Sequence, residues 1–356
     1  MSATQASDRP DKQAEGPAAL QTLSAAMLPA VEQELRAVLQ AEAKGGDPFY
    51  GMLHYHMGWA DQGLGGTEAA SGKLVRSLLC LLVCQAAGGV WRQALPPAAA
   101  IEMVHNFSLI HDDIQDGSPA RRGRPAMWRV WGANQAINSG DALFALAHLA
   151  LGRLAERGLA APLVLHALRR LDETCVELTL GQHADMGFEA RQDVGVAEYL
   201  AMIGGKTAAL LALAAELGAL ITGCEPGRVA HFANFGRQLG LAFQVRDDIL
   251  GIWGDEAELG KSAATDIISR KKSLPVLFGL SRSPDLRRLY AGRDEGEAFV
   301  GRAVAMLDEV GARAFSEAHE SAFAEEALDH LAAARPEGVG GQALLELSQE
   351  LLGRRK

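Results

Sequence analysis

The strongest constraint on the fold is an apolar stretch that ends in three closely spaced acids. Residues 102–116 read EMVHNFSLIHDDIQD, and the acids are Asp112, Asp113 and Asp116. At about 100° per residue, Asp112 and Asp116 share one face of a helix and Asp113 lies beside them. Packed carboxylates repel each other unless a cation lies between them, and Mg²⁺ prefers carboxylate oxygen. Taken alone, the stretch fits a solvated acidic helix end equally well.

A second acidic pair favours the metal-binding interpretation. Residues 243–251 read FQVRDDILG, so Asp247 and Asp248 again end an apolar run. Apolar flanks give each helix a buried face, and the acids lie where that face opens. Two such helices facing each other would hold metal ions between them, and the ions would bind a diphosphate.

Composition and charge narrow the classes of protein that remain. The chain has 356 residues and is 48% hydrophobic, enough for a sizeable core. Ala, Leu and Glu are abundant and aromatic residues are few, which favours helix. The net charge of −10 argues against a nucleic-acid partner. The four scattered cysteines are typical of reduced thiols in a reducing compartment.

The ends of the chain and its apolar runs predict the domain organisation. Residues 1–17 are polar and predict a disordered tail, and residues 18–356 predict one domain. No signal peptide is apparent, and the apolar runs 78–90 and 208–222 are too short or interrupted to span a bilayer. We therefore expect a cytoplasmic protein without stable membrane insertion. Residues 281–296 look like a polar loop, with helices following near 297–310, 315–334 and 341–352.

Basic residues stand where helices are expected to begin. Lys73 and Arg76 are three apart at one such start, and Lys206 follows Gly204-Gly205 at another. The helix dipole favours anions at this end, so cations here are a mild argument for a bound anion. Arg121 and Arg122 follow the first acidic stretch, and guanidinium groups suit phosphate oxygens.

In this order, the motifs resemble those of the isoprenyl diphosphate synthases of the polyprenyl synthetase family. Residues 112–116, DDIQD, match the first aspartate-rich motif of that family, and Phe243-Gln244 with Asp247-Asp248 match the second. The resemblance covers roughly residues 71–275. It implies an all-α, single-domain helical bundle of the isoprenoid synthase type with a central substrate cavity. It also implies a homodimeric prenyltransferase.

The resemblance further implies a role for each matching residue. Three Mg²⁺ ions, for which Mn²⁺ can substitute, would be held by Asp112, Asp113, Asp116, Asp247 and Asp248. Isopentenyl diphosphate would be held by Lys73, Arg76, His105 and Arg122. The allylic diphosphate, which is dimethylallyl, geranyl or farnesyl diphosphate, would meet Arg121, Gln182, Lys206, Thr207, Phe243, Gln244, Lys261 and Lys271. A polar helix end explains Gln182 and its neighbour Asp185 equally well. The residues expected to act in catalysis are Asp112, Asp113, Asp116, Arg121, Lys206, Asp247 and Lys261.

Two features bear on metal binding and product length. Gly251 stands where the second motif usually has its third acid, which puts direct binding of metal by Asp248 in doubt and leaves Asp255 as a substitute. The family sets product length with the residues four and five before the first motif, here Ser108 and Phe107. This pattern resembles geranylgeranyl diphosphate synthases. Phe107 points away from the carboxylates on an ideal helix, so a longer product stays open.

Two other functions are compatible with the acidic motifs. A class I terpene cyclase would need the metals and one diphosphate site, and Gly251 keeps this alternative open. An inactive regulatory subunit would bind an active synthase. The complete basic sets favour the head-to-tail condensation of isopentenyl diphosphate with an allylic diphosphate, with release of diphosphate.

Overall fold

The computed structural model describes residues 18–42, 47–67, 72–254, 265–292 and 295–353. These residues form an almost entirely helical structure, which confirms the all-α prediction. The N-terminal segment 1–17, predicted to be a tail, lies outside the described residues. The candidate site residues Asp255 and Lys261 lie outside them as well.

The helices follow one another with short connections. In chain order they are α1 Ala19–Glu42, α2 Pro48–Met57, α3 Val75–Ala86, α4 Leu95–Gln115, α5 Met127–Trp131, α6 Ala133–Gly152, α7 Ala161–Ala190, α8 Val196–Ile203, α9 Ala209–Leu220, α10 Pro226–Trp253, α11 Thr265–Ile268, α12 Leu274–Arg282, α13 Pro284–Ala291, α14 Glu297–Glu309, α15 Ala312–Ala333 and α16 Gly338–Leu351. A 3₁₀ turn at Trp91–Ala94 precedes α4, and a π turn at Gly204–Ala208 joins α8 to α9. The strands Ala120–Arg121 and Arg124–Pro125 form a small antiparallel hairpin after α4.

The main core lies among α3, α4, α6, α9 and α10. Helix α4 packs on α6 and α3, while α9 packs on α3 and α10. Nearly every residue of α9 is buried, as expected of a helix that is apolar on all sides. A smaller core beneath α11–α14 includes Ile252, Ile267 and Leu286. Helices α4 and α10, which carry the two acidic motifs, are therefore both anchored in the main core.

The apolar run expected at 208–222 belongs to a longer helix than the sequence indicated. Helices α8 and α9 continue into each other through the π turn, so Val196–Leu220 is long and apolar enough to cross a membrane. Most of its apolar segment is buried in the fold, so it is a core helix. Gly204-Gly205 do not interrupt it, and the prediction that Lys206 opens a helix is wrong. Lys206 lies inside the π turn.

Two predictions outside the core have different outcomes. The three C-terminal helices lie at 297–309, 312–333 and 338–351, close to where the periodicity predicts them. The prediction of a loop at 281–296 is wrong, because Pro284–Ala291 forms a helix. The Ser283 hydroxyl accepts a hydrogen bond from the Leu286 N–H and caps its start, and Pro284 occupies the first turn.

Candidate active site

A basic cavity of about 600 Å³ opens between α3, α4, the hairpin and α10. The predicted residues that line it are Lys73, Arg76, His105, Arg121, Arg122 and Phe243. Leu351, from the C-terminal helix, lines it as well and was not predicted. Side chains from distant parts of the sequence therefore converge on one concave and positively charged surface, which suits an anionic ligand.

The rim of the basic cavity depends on two segments that interlock closely. Leu74 and Arg122 both adopt left-handed backbone conformations, with φ of 49° and 52°. A Cβ atom on Gly72 would lie 2.7 Å from Nη2 of Arg122, so this loop and the Arg122 side chain are in close contact. The strained turns fix where Lys73 and Arg122 project.

A buried polar group supports the cations of the basic cavity. Glu102 accepts hydrogen bonds from Asn106 Nδ2 at 3.0 Å and from Ser77 Oγ at 3.4 Å. Burial raises the pKa of Glu102, and the charges of Arg76 and Arg122 oppose that rise. Glu102 and Asn106 were missed by sequence reasoning. Two polar residues one turn apart in an otherwise apolar run were the available signal.

His105 is neutral in this environment. Its Nε2 lies 3.3 Å from Nη1 of Arg76. Burial, followed by the charges of Arg76 and Arg122, holds the pKa of His105 well below its ordinary value. A neutral imidazole can accept the Arg76 N–H and leave the rest of that guanidinium for an anion.

The first acidic motif divides into two parts. Burial raises the pKa of Asp112 to about 6 against the opposing charge of Lys206, and it also raises the pKa of Asp116. Asp113 is buried and accepts from Nε and Nη2 of Arg121 at 3.0 and 2.6 Å. Among the described residues, Asp112 and Asp116 form no ion pair within 4 Å, whereas Asp113 binds Arg121.

The π turn brings Lys206 to the acidic side of the site. Its Nζ lies 2.5 Å from Oδ2 of Asp185 on α7. A Cβ on Gly181 would lie 2.3 Å from the Lys206 nitrogen, so α7 and the π turn are in backbone contact. Gln182 is buried beside them, and its Nε2 donates to Gln115 Oε1 at 2.9 Å.

The two acids of the second motif differ in exposure. The Asp247 side chain is exposed near the end of α10, but the surrounding protein partly desolvates its carboxylate; this burial, followed by the charge of Asp248, raises the pKa of Asp247 to about 6. Asp248 is fully buried and accepts hydrogen bonds from the Tyr199 hydroxyl and the Leu274 N–H. Gln244 Nε2 also donates to Asp248, at 3.3 Å, and Gln244 accepts from Thr207 Oγ1 at 2.9 Å. These contacts leave Asp247 as the member of the pair that faces the site.

Lys271 adds a cation beside the second motif. Its Nζ lies 3.9 Å from Oδ1 of Asp248 and 3.9 Å from Oδ2 of Asp266. Burial lowers the pKa of Lys271, but the surrounding acids outweigh it and the net shift is upward.

The two residues predicted to set product length lie away from the basic cavity. The Ser108 hydroxyl donates to the His105 carbonyl at 2.8 Å. The Phe107 ring packs edge-to-face on Phe144 of α6, with 5.3 Å between centroids. Both rings line a groove of about 430 Å³ between α4, α6 and α7, together with Val176 and Leu180.

The carboxylates fit a hard divalent cation that is shared with a ligand. Across the described ranges, no three His, Cys, Asp or Glu side chains converge on one ready-made metal cage. Mg²⁺ is commonly bound by one or two carboxylates and completes its shell with water and phosphate oxygens. Burial disfavours the charged forms of Asp112, Asp116 and Asp247, and a cation would offset this effect, so these carboxylates supply this kind of donor set.

Known proteins share the motifs of this site. The polyprenyl synthetase family model matches residues 62–307. The chain belongs to the polyprenyl synthetase family. It is a prenyltransferase with short-chain isoprenyl diphosphate synthase activity on isoprenoid diphosphates, and the family binds Mg²⁺ at a diphosphate site.

The relatives of this polyprenyl synthetase make more than one product. It is 38% identical over 346 residues to a geranylgeranyl diphosphate synthase of Mycobacterium tuberculosis, covering 92% of this chain and 97% of the relative. It is 39% identical over 274 residues to a (2E,6E)-farnesyl diphosphate synthase of Mycobacterium bovis, covering 77% and 72%.

Solved structures share the helical bundle of this polyprenyl synthetase. A polyprenyl synthetase from Streptomyces coelicolor A3(2) is 34% identical with a TM-score of 0.84, covering 94% of this chain and 98% of that one. A geranylgeranyl pyrophosphate synthase from Corynebacterium glutamicum, complexed with isoprenyl diphosphate and magnesium, is 25% identical with a TM-score of 0.79, covering 94% and 99%. These matches confirm the predicted isoprenoid synthase fold.

Proposed function

We propose that this enzyme condenses isopentenyl diphosphate with an allylic diphosphate, head to tail, and that geranylgeranyl diphosphate is its main product. The observation that supports the proposal is the basic cavity, whose lining among the described residues includes Lys73, Arg76 and Arg122 but not Lys206 or the aspartates of the two motifs. A condensation needs a second diphosphate site of this kind, whereas a cyclase with one diphosphate substrate does not. The buried Glu102 carboxylate, which accepts a hydrogen bond from Asn106, interacts electrostatically with Arg76 and Arg122 of that cavity.

Lys73, Arg76 and Arg122 would bind the diphosphate of isopentenyl diphosphate. Arg76 has a hydrogen-bond partner in neutral His105, which leaves its other N–H groups for phosphate oxygens. Holding this diphosphate fixes the direction of the double bond, which must approach the allylic carbon for the new bond to form. The close contact of Gly72 with the Arg122 side chain brings the binding loop next to the hairpin.

The second set of residues would bind the allylic diphosphate. Asp112, Asp116 and Asp247 would hold three Mg²⁺ ions, whose chemistry would be to offset the negative charge that develops on the leaving diphosphate. Asp113 holds Arg121, and Asp185 holds Lys206, at the edge of this site. Both cations would balance the charge of the leaving diphosphate. Lys271 and Lys261 would complete the basic cap.

The remaining predicted residues would orient these groups. Asp248, Gln244 and Thr207 form a hydrogen-bonded chain that links α10 to the π turn. Gln182 joins α7 to the end of α4 through Gln115. Among the residues that the structure describes, no side chain near the site stands out as the base that removes the final proton, so we assign that proton to an oxygen of the departing diphosphate.

The product length is proposed from Ser108 and Phe107. The growing prenyl tail would run from the carboxylates into an apolar channel along α4. The small side chain of Ser108 would leave this channel open next to Asp112, and the Phe107 ring would close its far end and act as its floor. The geranylgeranyl diphosphate synthase that covers almost the whole chain supports this length. The similar identity to a farnesyl diphosphate synthase makes the product assay decisive.

We also propose that the protein is a homodimer that associates through α6 and α7. Large apolar side chains are exposed on these two helices, and they are Ile137, Leu149, Leu165, Val176, Leu180 and Met186. A monomeric protein rarely leaves so many apolar side chains on one face.

The function is tested by supplying Mg²⁺, isopentenyl diphosphate and, in turn, dimethylallyl, geranyl and farnesyl diphosphate. Products are dephosphorylated and identified by mass spectrometry. We expect geranylgeraniol from each starter and no product when isopentenyl diphosphate is left out. A cyclic hydrocarbon from a single allylic substrate would establish a cyclase. No turnover with any starter would indicate an inactive subunit.

A further inference from the structure

We propose that Asp266 on the short helix α11 supplies the third carboxylate of the second acidic motif, the one that Gly251 cannot provide. This inference rests on the function proposed above. It identifies Asp266 as a residue that sets the strength of Mg²⁺ and diphosphate binding at Asp247.

The position of the Asp266 side chain is the observation that leads to this proposal. A Cβ atom built on Gly251 would lie 2.7 Å from Asp266 Cγ, 2.8 Å from Oδ2 and 3.0 Å from Oδ1. The carboxylate of Asp266 therefore fills the space that a side chain at position 251 would need. Residues 247 and 251 are one helical turn apart, so this space lies on the face of α10 that carries Asp247.

The charge of Asp266 interacts with the charged groups of the second acidic motif. Lys271 Nζ lies 3.9 Å from Asp266 Oδ2 and at the same distance from Asp248 Oδ1. The charge of Asp266 also contributes to the raised pKa of Asp247. Asp266 is thus electrostatically coupled to both acids of the motif, and it shares a cation with one of them.

Helix α11 is anchored in a way that fixes Asp266. The neighbouring Ile267 is completely buried in the small core that includes Ile252 of α10. The Lys271 N–H donates to the Asp266 carbonyl at 2.9 Å, and the Arg270 N–H donates to the Ile267 carbonyl at 3.0 Å. Because these contacts fix α11, the Asp266 carboxylate can occupy the position that the carboxylate of an aspartate at residue 251 of α10 would otherwise take.

The absence of a side chain at position 251 leaves this volume to the Asp266 carboxylate. An aspartate there would compete with Asp266 for one volume and bring two like charges together. Restoring the usual third acid by Gly251→Asp should therefore weaken the site. The combination Gly251→Asp with Asp266→Ala should restore it, since one carboxylate then occupies the space again.

The test measures Mg²⁺-dependent thermal stabilisation in the presence of inorganic diphosphate, together with the Mg²⁺ dependence of product formation. We expect Asp266→Asn, Asp266→Ala and Gly251→Asp each to raise the half-saturating Mg²⁺ concentration about tenfold, as for losses of groups that orient metal ligands. The double variant Gly251→Asp/Asp266→Ala should return to within about threefold of the original value. Gly251→Asn/Asp266→Ala fills the same volume without the charge and should stay impaired.

The matched control is Asp329→Asn, which removes an exposed carboxylate from α15 and should change neither measurement. Unchanged Mg²⁺ dependence in Asp266→Asn would overturn the inference, and so would equal recovery by the aspartate and asparagine double variants. If the double variants do not fold, Asp266→Asn against Asp329→Asn decides. An original protein that neither responds to Mg²⁺ with diphosphate nor forms product would contradict the proposed function itself.

Discussion

Two carboxyl groups of the site, those of Asp112 and Asp247, have pKa values close to neutral pH. Burial raises the pKa of Asp112 and of Asp247 to about 6 in the metal-free protein. Metal binds the deprotonated form, so protons compete with Mg²⁺ below that value. We predict that the half-saturating Mg²⁺ concentration rises by about tenfold or more between about pH 7.5 and about pH 5.5, and changes little above about pH 7.5.

The measurement is Mg²⁺-dependent thermal stabilisation with inorganic diphosphate at constant ionic strength. Diphosphate itself takes up protons in this range, so Asp112→Asn is the matched control. This variant should bind Mg²⁺ more weakly at high pH and show a shallower pH dependence, since one of the two titrating carboxylates is gone. Equal slopes in the two proteins would contradict the assignment of the pH dependence to Asp112.

The resemblance to the family predicted which side chains belong to the site, but not which way each one faces. Lys73, Arg76, His105 and Arg122 line one cavity as predicted. Adjacent Asp247 and Asp248 differ by about 100° around the helix, so at most one can face the site squarely. Which one does so depends on Tyr199, which is far away in sequence and binds Asp248. No local pattern carries that information.

At the scale of the helices, the contact between α7 and the π turn decides where Lys206 lies. Gly181 of α7 meets the Lys206 nitrogen, and Gly205 approaches the Glu177 carbonyl, so each backbone packs on the other. π turns inside long helices often occur at functional sites. Here the extra residue of the turn directs Lys206 toward Asp185.

We predict that Gly181→Ala destabilises the protein by about 1–3 kcal/mol, because the new methyl group would force α7 away from the π turn. It should also lower kcat, since Lys206 moves with the turn. Gly187→Ala is the control on the same helix, because a Cβ there meets nothing within 4 Å. That change should be neutral or stabilising by up to about 1 kcal/mol. Denaturant unfolding and steady-state kinetics measure both, and similar behaviour of the two variants would contradict the packing argument.

Periodicity and capping predicted helices unequally well. The C-terminal helices were placed correctly because their apolar residues recur at helical spacing. The helix at Pro284–Ala291 was mistaken for a loop because its composition is polar, although Ser283 and Pro284 form a recognisable helix start. The π turn could not be predicted, because a glycine pair more often ends a helix than continues it.

At the scale of the whole molecule, the exposed apolar face of α6 and α7 predicts a homodimer. Leu165 and Leu180 are 67% and 63% exposed on that face. A charged side chain at either position would have to be buried in the interface and would therefore oppose association. We predict that Leu165→Asp/Leu180→Asp is monomeric by light scattering at concentrations where the original protein is dimeric. Val90→Asp is the control, since Val90 is 60% exposed but lies outside α6 and α7. A monomeric original protein, or a dimer that survives the double change, would contradict this interface.

The same face bears on product length, because the groove beside Phe107 opens next to Val176 and Leu180. If the Phe107 ring forms the floor of the tail channel, its removal joins the channel to this groove. We predict that Phe107→Ala shifts the product from geranylgeranyl to longer prenyl diphosphates. Conversely, Ser108→Phe should fill the space next to Asp112 and shorten the product toward farnesyl diphosphate.

Mass spectrometry of dephosphorylated products measures both shifts at matched turnover. Phe49→Ala is the control, because it removes the same ring from α2 and should leave the product unchanged. Loss of the Phe107 ring also creates a cavity, so the variant should be less stable, by up to about 3–5 kcal/mol if the groove cannot collapse around it. A stable Phe107→Ala enzyme with an unchanged product would show that Phe107 packs on Phe144 for stability alone. The floor of the channel would then have to lie on another helix.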